Sequence, residues 1–99
     1  MLWVERMKPG YVYITNKPMG VLYIGVTDDL PKRVAQHRAR AVTSFAKRYN
    51  CEHLVWFEQF ENIHDARAFE RQMKKWNRIW KVRRIVEMNP HWHDLAEQW

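Results

Sequence analysis

The stretch VLYIGVTDDLPKRVAQH, residues 21–37, begins as one kind of secondary structure and ends as another, and that change decides the fold. Its first six residues, VLYIGV, are β-branched and aromatic, the composition of a strand. Thr27, Asp28 and Asp29 then offer side-chain oxygens to the free amides of a helix start. Pro31 suits the first helical turn, where its missing amide is not needed. A helix is therefore expected over 30–41. Upstream, YVYIT at 11–15 has the same strand composition. Asn16, Pro18 and Gly20 supply turn chemistry between the two, so they should pair as a β-hairpin.

Downstream, HLVWFEQF at 53–60 is apolar and aromatic enough for a third strand. Ala66, Phe69, Met73 and Trp76 recur at helical intervals, which predicts an amphipathic helix over 65–76. A third helix is expected over 78–88 with Trp80, Val82, Ile85 and Val86 inward. It stops at Asn89-Pro90, because proline disfavours α conformation in the residue before it. The order β-β-α-β-α-α, without repeats or linkers, predicts an α+β fold: a small three-stranded antiparallel sheet flanked by helices.

With 99 residues there is material for one modest core, so a single domain over 1–99 is expected, and any site must share residues with the fold. Seventeen Lys and Arg against eleven Asp and Glu leave a formal charge of +6, which suits a phosphate backbone or an anionic membrane face. Cys51 is the sole cysteine, which excludes an intrachain disulfide and a cysteine-based zinc cluster; a reducing compartment, the cytoplasm, is expected. MLWVERMKPG carries Glu5, Arg6 and Lys8 and lacks the apolar run of a signal peptide or a membrane span.

On the first helix Leu30, Val34 and Ala41 share a face, and Arg33, His37 and Arg40 form a stripe beside it, at the margin of the buried side. Tyr11 and Tyr13 lie on one face of their strand, and Tyr23 can reach them from its neighbour. Glu70 sits at the edge of the second helix's apolar stripe. There it needs a partner, either Arg67 or Lys74 as an ion pair or a hard divalent cation. HWHD at 91–94 gathers His91, His93 and Asp94, but histidines two apart after a proline have the wrong spacing for a metal pair. Core packing accounts for the six tryptophans, unless Trp3, Trp92 and Trp99 cluster on one exposed patch.

These elements together resemble the GIY-YIG nuclease superfamily, in particular its small members similar to the N-terminal nuclease domain of the excision-repair subunit UvrC. YVY at 11–13 stands for the first motif and YIG at 23–25 for the second. Arg33 follows Gly25 by eight residues and His37 follows Arg33 by four. FERQMKKWNRIWK carries Glu70 where the family keeps a metal-binding glutamate, and NPHWHDL resembles a terminal signature with Asn89 as its polar residue. Two positions depart from the pattern. Gly10 stands one residue too early for a G-x-Y triplet, so Tyr13 is taken as the motif tyrosine with Tyr11 in reserve. Val26 occupies a position where UvrC-like domains often carry lysine.

The resemblance implies hydrolysis of phosphodiester bonds in DNA by one-step attack of a water. Tyr13 or Tyr23 would take its proton, Arg33 would clamp the phosphate and His37 would assist. Glu70 would hold Mg²⁺ or Mn²⁺. A free tyrosine titrates near pH 10, so ionising one at pH 7 costs about 4 kcal/mol and requires help from neighbouring cations or hydrogen bonds. Gly25 would allow close backbone approach, with Tyr49 and Asn89 as further support. Lys32, Arg40, Lys47, Arg48 and Lys74 supply charge for phosphate contacts. No zinc finger or helix-turn-helix is apparent, so the expected substrate is branched, flapped or single-stranded DNA chosen by structure, as in DNA repair. The alternative, motivated by Val26, is a catalytically weak or inactive nucleic-acid-binding module on the same scaffold.

Overall fold

The computed structural model describes residues 8–16, 20–39 and 53–99. Strands β1 (Gly10–Asn16), β2 (Leu22–Thr27) and β3 (His53–Phe60) form an antiparallel sheet in the order β2-β1-β3. Helix α1 (Leu30–Ala39) follows β2, and α2 (Ile63–Lys74) and α3 (Arg78–Met88) follow β3. The α+β order expected from the sequence is thus the observed one. None of the described helices is long and apolar enough to cross a membrane.

Strand alternation separates two apolar clusters on the two faces of the sheet. Val12, Ile14, Ile24, Val55 and Trp56 meet Ala66 and Met73 of α2 and Ile85 of α3 on one face. Tyr13 and Leu54 meet Leu30 and Val34 of α1 and Ala96 of the C-terminal tail on the other. Helix α2 lies close against β1: a carbon added to Gly10 would stand 2.7 Å from both Ala66 Cβ and Ile63 Cα. A side chain at Gly10 would force the helix off the sheet.

Helix α2 begins two residues earlier than the periodicity alone predicts. Asn62 caps it, its side chain accepting from the Asp65 amide, so Ile63 and His64 already belong to the first turn. Asn77 caps α3 in the same way through the Trp80 amide. In α3 the inward residues are Ile85 and the half-buried Val82; Trp80 and Val86 are 53% and 40% exposed, contrary to the expectation that both point inward. The helix phase explains this: Trp80 lies five residues from Ile85, about 140° around the axis from the buried line.

The β1–β3 register slips between Ile14, opposite Trp56, and Thr15, opposite Leu54, so Val55 is an extra residue. The bulge lets successive residues Val55 and Trp56 enter the same cluster. Asn89 answers it from the end of α3. Its Nδ2 donates to Val55 O at 3.2 Å and to His93 O at 2.8 Å, and its Oδ1 accepts from the His93 amide at 3.0 Å. Asp94 Oδ1 accepts from the amides of Leu54 and Ala96, and the Leu95 amide donates to Leu54 O. The tail therefore covers the β3 edge, and HWHD is structural. Among the described residues no three His, Cys, Asp or Glu side chains gather as metal donors.

Asn89 is 3% exposed and its amide is fully engaged. Asn89→Ala should lower stability by about 3 kcal/mol, since three bonds are lost and buried partners are left unpaired. Urea denaturation measures this. Asn89→Asp, which turns a carboxylate oxygen toward the carbonyls of Val55 and His93 in a buried site, should cost at least as much as the alanine.

Candidate active site

The Tyr13 ring lies across Gly25, its register partner on β2. A carbon on Gly25 would come within 2.5 Å of the Tyr13 phenol carbon and hydroxyl, so only glycine admits the ring in this position. The side chain is 1% exposed. Its hydroxyl is directed to α1, where Arg33 Nε donates to it at 3.2 Å and His37 Nε2 lies 3.2 Å away. Arg33 and His37 are one turn apart, so both reach one atom. They do so because Leu30 and Val34 bury the adjacent stripe of the helix.

Tyr23, half-buried, completes the group. Its ring centroid is 6.3 Å from Tyr13 and 5.7 Å from His37, and the Tyr13 and His37 centroids are 6.0 Å apart. The Arg33 guanidinium titrates above its ordinary range. The Tyr13 hydrogen bond is the main cause and attraction to the Tyr13 phenol the next; partial burial opposes them, and Tyr23 adds a smaller contribution in the same direction. Arg33 therefore stays cationic at any pH used for assay. Its Nη1 also donates to Gln36 Oε1 at 3.2 Å, which holds the fork in place.

This group stands beside a cleft of about 490 Å³ at the β2 edge. Lys32, Arg33 and Gln36 of α1 line one side, Val26 and Thr27 the floor, and Lys8, Ile63 and Arg67 the other side. Four cations outnumber the two carboxylates, Asp28 and Asp29, and Asp28 pairs with Lys8 at 3.7 Å. Lys8 and Arg67 are cleft residues that motif spacing does not single out. The one signal for Arg67 is its position three residues before Glu70.

Glu70 lies on α2, on the stripe Ile63, Arg67, Glu70, Lys74 at helical spacing, and the first two of these line the cleft. Its side chain is 14% exposed, and Lys74 Nζ lies 3.1 Å from its Oε2. Of the two ion-pair partners the sequence offers, Lys74 is the one used. The structure thus gathers Tyr13, Tyr23, Arg33 and His37 into one contact group. Glu70 comes from α2, which packs on the other face of the sheet, and Arg67, one turn before it, lines the cleft.

Tyr11 packs at the border of the second cluster and pairs with Thr27, without joining the bonds around Tyr13. Asn89 is structural, as described above. Lys32 and Lys74 are exposed. Arg40, Ala41, Lys47, Arg48, Tyr49 and Trp3 lie outside the described residues. Trp92 packs against the first cluster and Trp99 against Phe57, so these two form no common exposed patch.

The family profile of the GIY-YIG catalytic domain matches residues 9–93. A UPF0213 protein of Pediococcus pentosaceus is 33% identical over 73 residues, covering 74% of this chain and 77% of its own. One from Clostridium perfringens is 35% identical over 75 residues, 76% of this chain and 81% of the relative. The solution structure of a UPF0213 protein from Bacillus halodurans superposes with a TM-score of 0.58 at 21% identity. It covers 91% of this chain and 96% of that one, and shows a shared fold.

The Tyr13–Gly25 contact is testable by a double-mutant cycle. Gly25→Ala alone should cost about 2 kcal/mol through overpacking. In a Tyr13→Ala background, with the ring gone, most of that cost should disappear. Additive effects in denaturant titrations would show that the two residues do not constrain each other.

Proposed function

The chain belongs to the GIY-YIG catalytic-domain family, and from that premise we propose that it is a metal-dependent endonuclease that hydrolyses phosphodiester bonds in DNA. The family is one of nucleases, whose substrate is nucleic acid. The observation that carries the finer reading is the convergence of Arg33 and His37 on the Tyr13 hydroxyl, beside Tyr23 and a basic cleft.

In this reading a phosphate enters the cleft between Arg33 and Arg67, with Lys32 and Lys8 adding to the positive field. Arg33 stabilises the charge that builds on the non-bridging oxygens. Tyr23, the more accessible tyrosine, accepts the proton of the attacking water. Tyr13, almost fully buried, is the hub that orients Arg33 and His37. The Arg33 guanidinium, hydrogen-bonded to the Tyr13 hydroxyl, holds a positive charge beside the two tyrosines. His37 touches both rings and passes the proton outward.

A single carboxylate with an exposed, displaceable lysine partner fits a hard cation such as Mg²⁺ or Mn²⁺, which binds few protein oxygens and keeps several waters. Glu70 would hold it. When bound, the ion supplies Lewis-acid polarisation of the phosphate and neutralises charge on the departing 3′ oxygen. Val26 is compatible with this assignment. Its side chain packs against the first core cluster, and Lys8, Lys32, Arg33 and Arg67 already furnish the cleft with cations. Among the described residues the cleft is lined by cations and by no base-reading motif, which supports selection of branched or unpaired DNA by its shape.

Incubating the protein with duplex, flap, junction and single-stranded DNA in Mg²⁺, Mn²⁺ or EDTA tests this directly. Cleavage should require metal. Tyr23→Phe and Tyr13→Phe should each lower the rate about 10²–10⁴-fold. Glu70→Gln should abolish cleavage while leaving DNA binding intact. Binding without cleavage of any substrate by the native chain would select the non-catalytic binding module instead.

A further inference from the structure

A second surface of the molecule has the composition of a nucleic-acid contact and takes no part in the cleft described above. A file of aromatic rings runs outward from the sheet: Phe60, Phe69, Trp76 and Trp80 follow one another at centroid separations of 5.4, 5.7 and 6.2 Å. The inner rings are half-buried against the core. The outermost, Trp80, is 53% exposed, with Trp76 against its edge. Arg84 braces the file from the side, its guanidinium carbon 5.9, 5.6 and 5.2 Å from the ring centroids of Trp56, Phe69 and Trp76, and its Nη1 3.6 Å from Glu58. A shallow groove of about 260 Å³ lies between Trp76, Trp80, Arg83, Arg84 and Glu87.

The charges around the exposed indole say what it suits. Arg78, Lys81, Arg83 and Arg84 stand on α3 against one acid, Glu87. Among the described residues, Arg84 alone of these four has a carboxylate partner. A protein partner would have to bury several uncompensated cations, whereas the centres of protein interfaces are depleted in charge. A membrane-lying helix needs a continuous apolar stripe, and here Arg83 interrupts the line from Ile79 to Val86. A polyanion with flat apolar rings meets both features at once, since its phosphates pair with the cations and a base stacks on the indole. Bases in a duplex are already stacked on each other, so an unpaired nucleotide is required. The groove is smaller than the roughly 300 Å³ at which drug-sized pockets begin, which suits one planar ring system.

We propose that Trp80, held by Trp76 and flanked by Arg83 and Arg84, is a stacking platform for one unpaired base of a single-stranded nucleic acid. The choice of ligand rests on the nucleic-acid reading above and extends it. Helix α3 packs on β3, whereas the cleft opens at the β2 edge, so the platform grips the strand away from the cleft. It thereby biases the protein toward substrates with an unpaired segment.

The test is equilibrium binding of the full chain, in EDTA, to a labelled oligo(dT), to a duplex of equal length and to phosphatidylcholine vesicles containing phosphatidylserine. Trp80→Ala should weaken oligo(dT) binding about tenfold, with duplex binding changed less than about twofold, while Trp80→Phe should keep most of the affinity. Arg83→Ala should reduce the slope of log K against log[salt] for oligo(dT) by about 0.7. Unchanged oligo(dT) affinity in Trp80→Ala overturns the proposal, as does a loss confined to the vesicles. Because binding is read without cleavage, an inactive chain that still binds through Trp80 removes the nuclease reading and keeps this one. A cleaving chain indifferent to Trp80 does the reverse.

Discussion

Tyr13 and Gly25 face each other across the first two strands with no space for a further carbon between them, and the candidate site is built outward from that contact. The missing side chain lets the phenol ring lie flat over β2, so its hydroxyl emerges beneath α1. The helix must then present Leu30 and Val34 to the sheet and Arg33 and His37 to the hydroxyl, which the one-turn offset between those pairs allows. A buried hydroxyl needs partners. Here the partners that satisfy it are also the groups suited to a phosphate, so packing and chemistry impose the same geometry.

The two edges of the sheet are treated differently. At β3 the bulge at Val55 disturbs the ladder, and Asn89, Asp94 and Leu95 cover it with side-chain and backbone bonds. At β2 the cleft lies against the strand's last residues. Through that edge, residues from both sides of a three-stranded sheet can face one ligand, Arg33 from α1 and Arg67 from α2. Glu70 is one turn further along the Arg67 stripe, half-buried and paired with a lysine that water already reaches.

The aromatic residues divide along similar lines. Trp56, Phe69 and Trp76 fill the face under α2 and α3, and the Arg84 guanidinium lies against all three rings. Trp80 is the end of that file and is left in solvent. Its exposure follows from the phase of α3, with Val82 and Ile85 inward, and Trp76 packs against it.

Much of this was legible in the chain itself. The hairpin, the capped turn into α1, the third strand and the two later helices follow from periodicity and turn chemistry, because those are local preferences. The intervals from Tyr13 to His37 resemble those of the family, and that resemblance is what singled these residues out. Local pattern was silent wherever a residue's role depends on what lies opposite it. Trp80 has the helical spacing of a core residue but faces out, because a one-residue difference in helix phase is set by packing against β3. Asn89 reads as a polar signature residue and proves to be the patch over a bulge, which exists only once β1 and β3 pair. Gly25 reads as a place where another backbone or a phosphate can come close; only the fold reveals a tyrosine ring occupying the space. Sequence alone determined which elements form and in what order, since backbone preference and hydrophobic period act within a few residues. The tertiary structure decided which side chains meet, since Tyr13, Gly25, Arg33 and Arg67 are brought together by contacts between elements that no local spacing records.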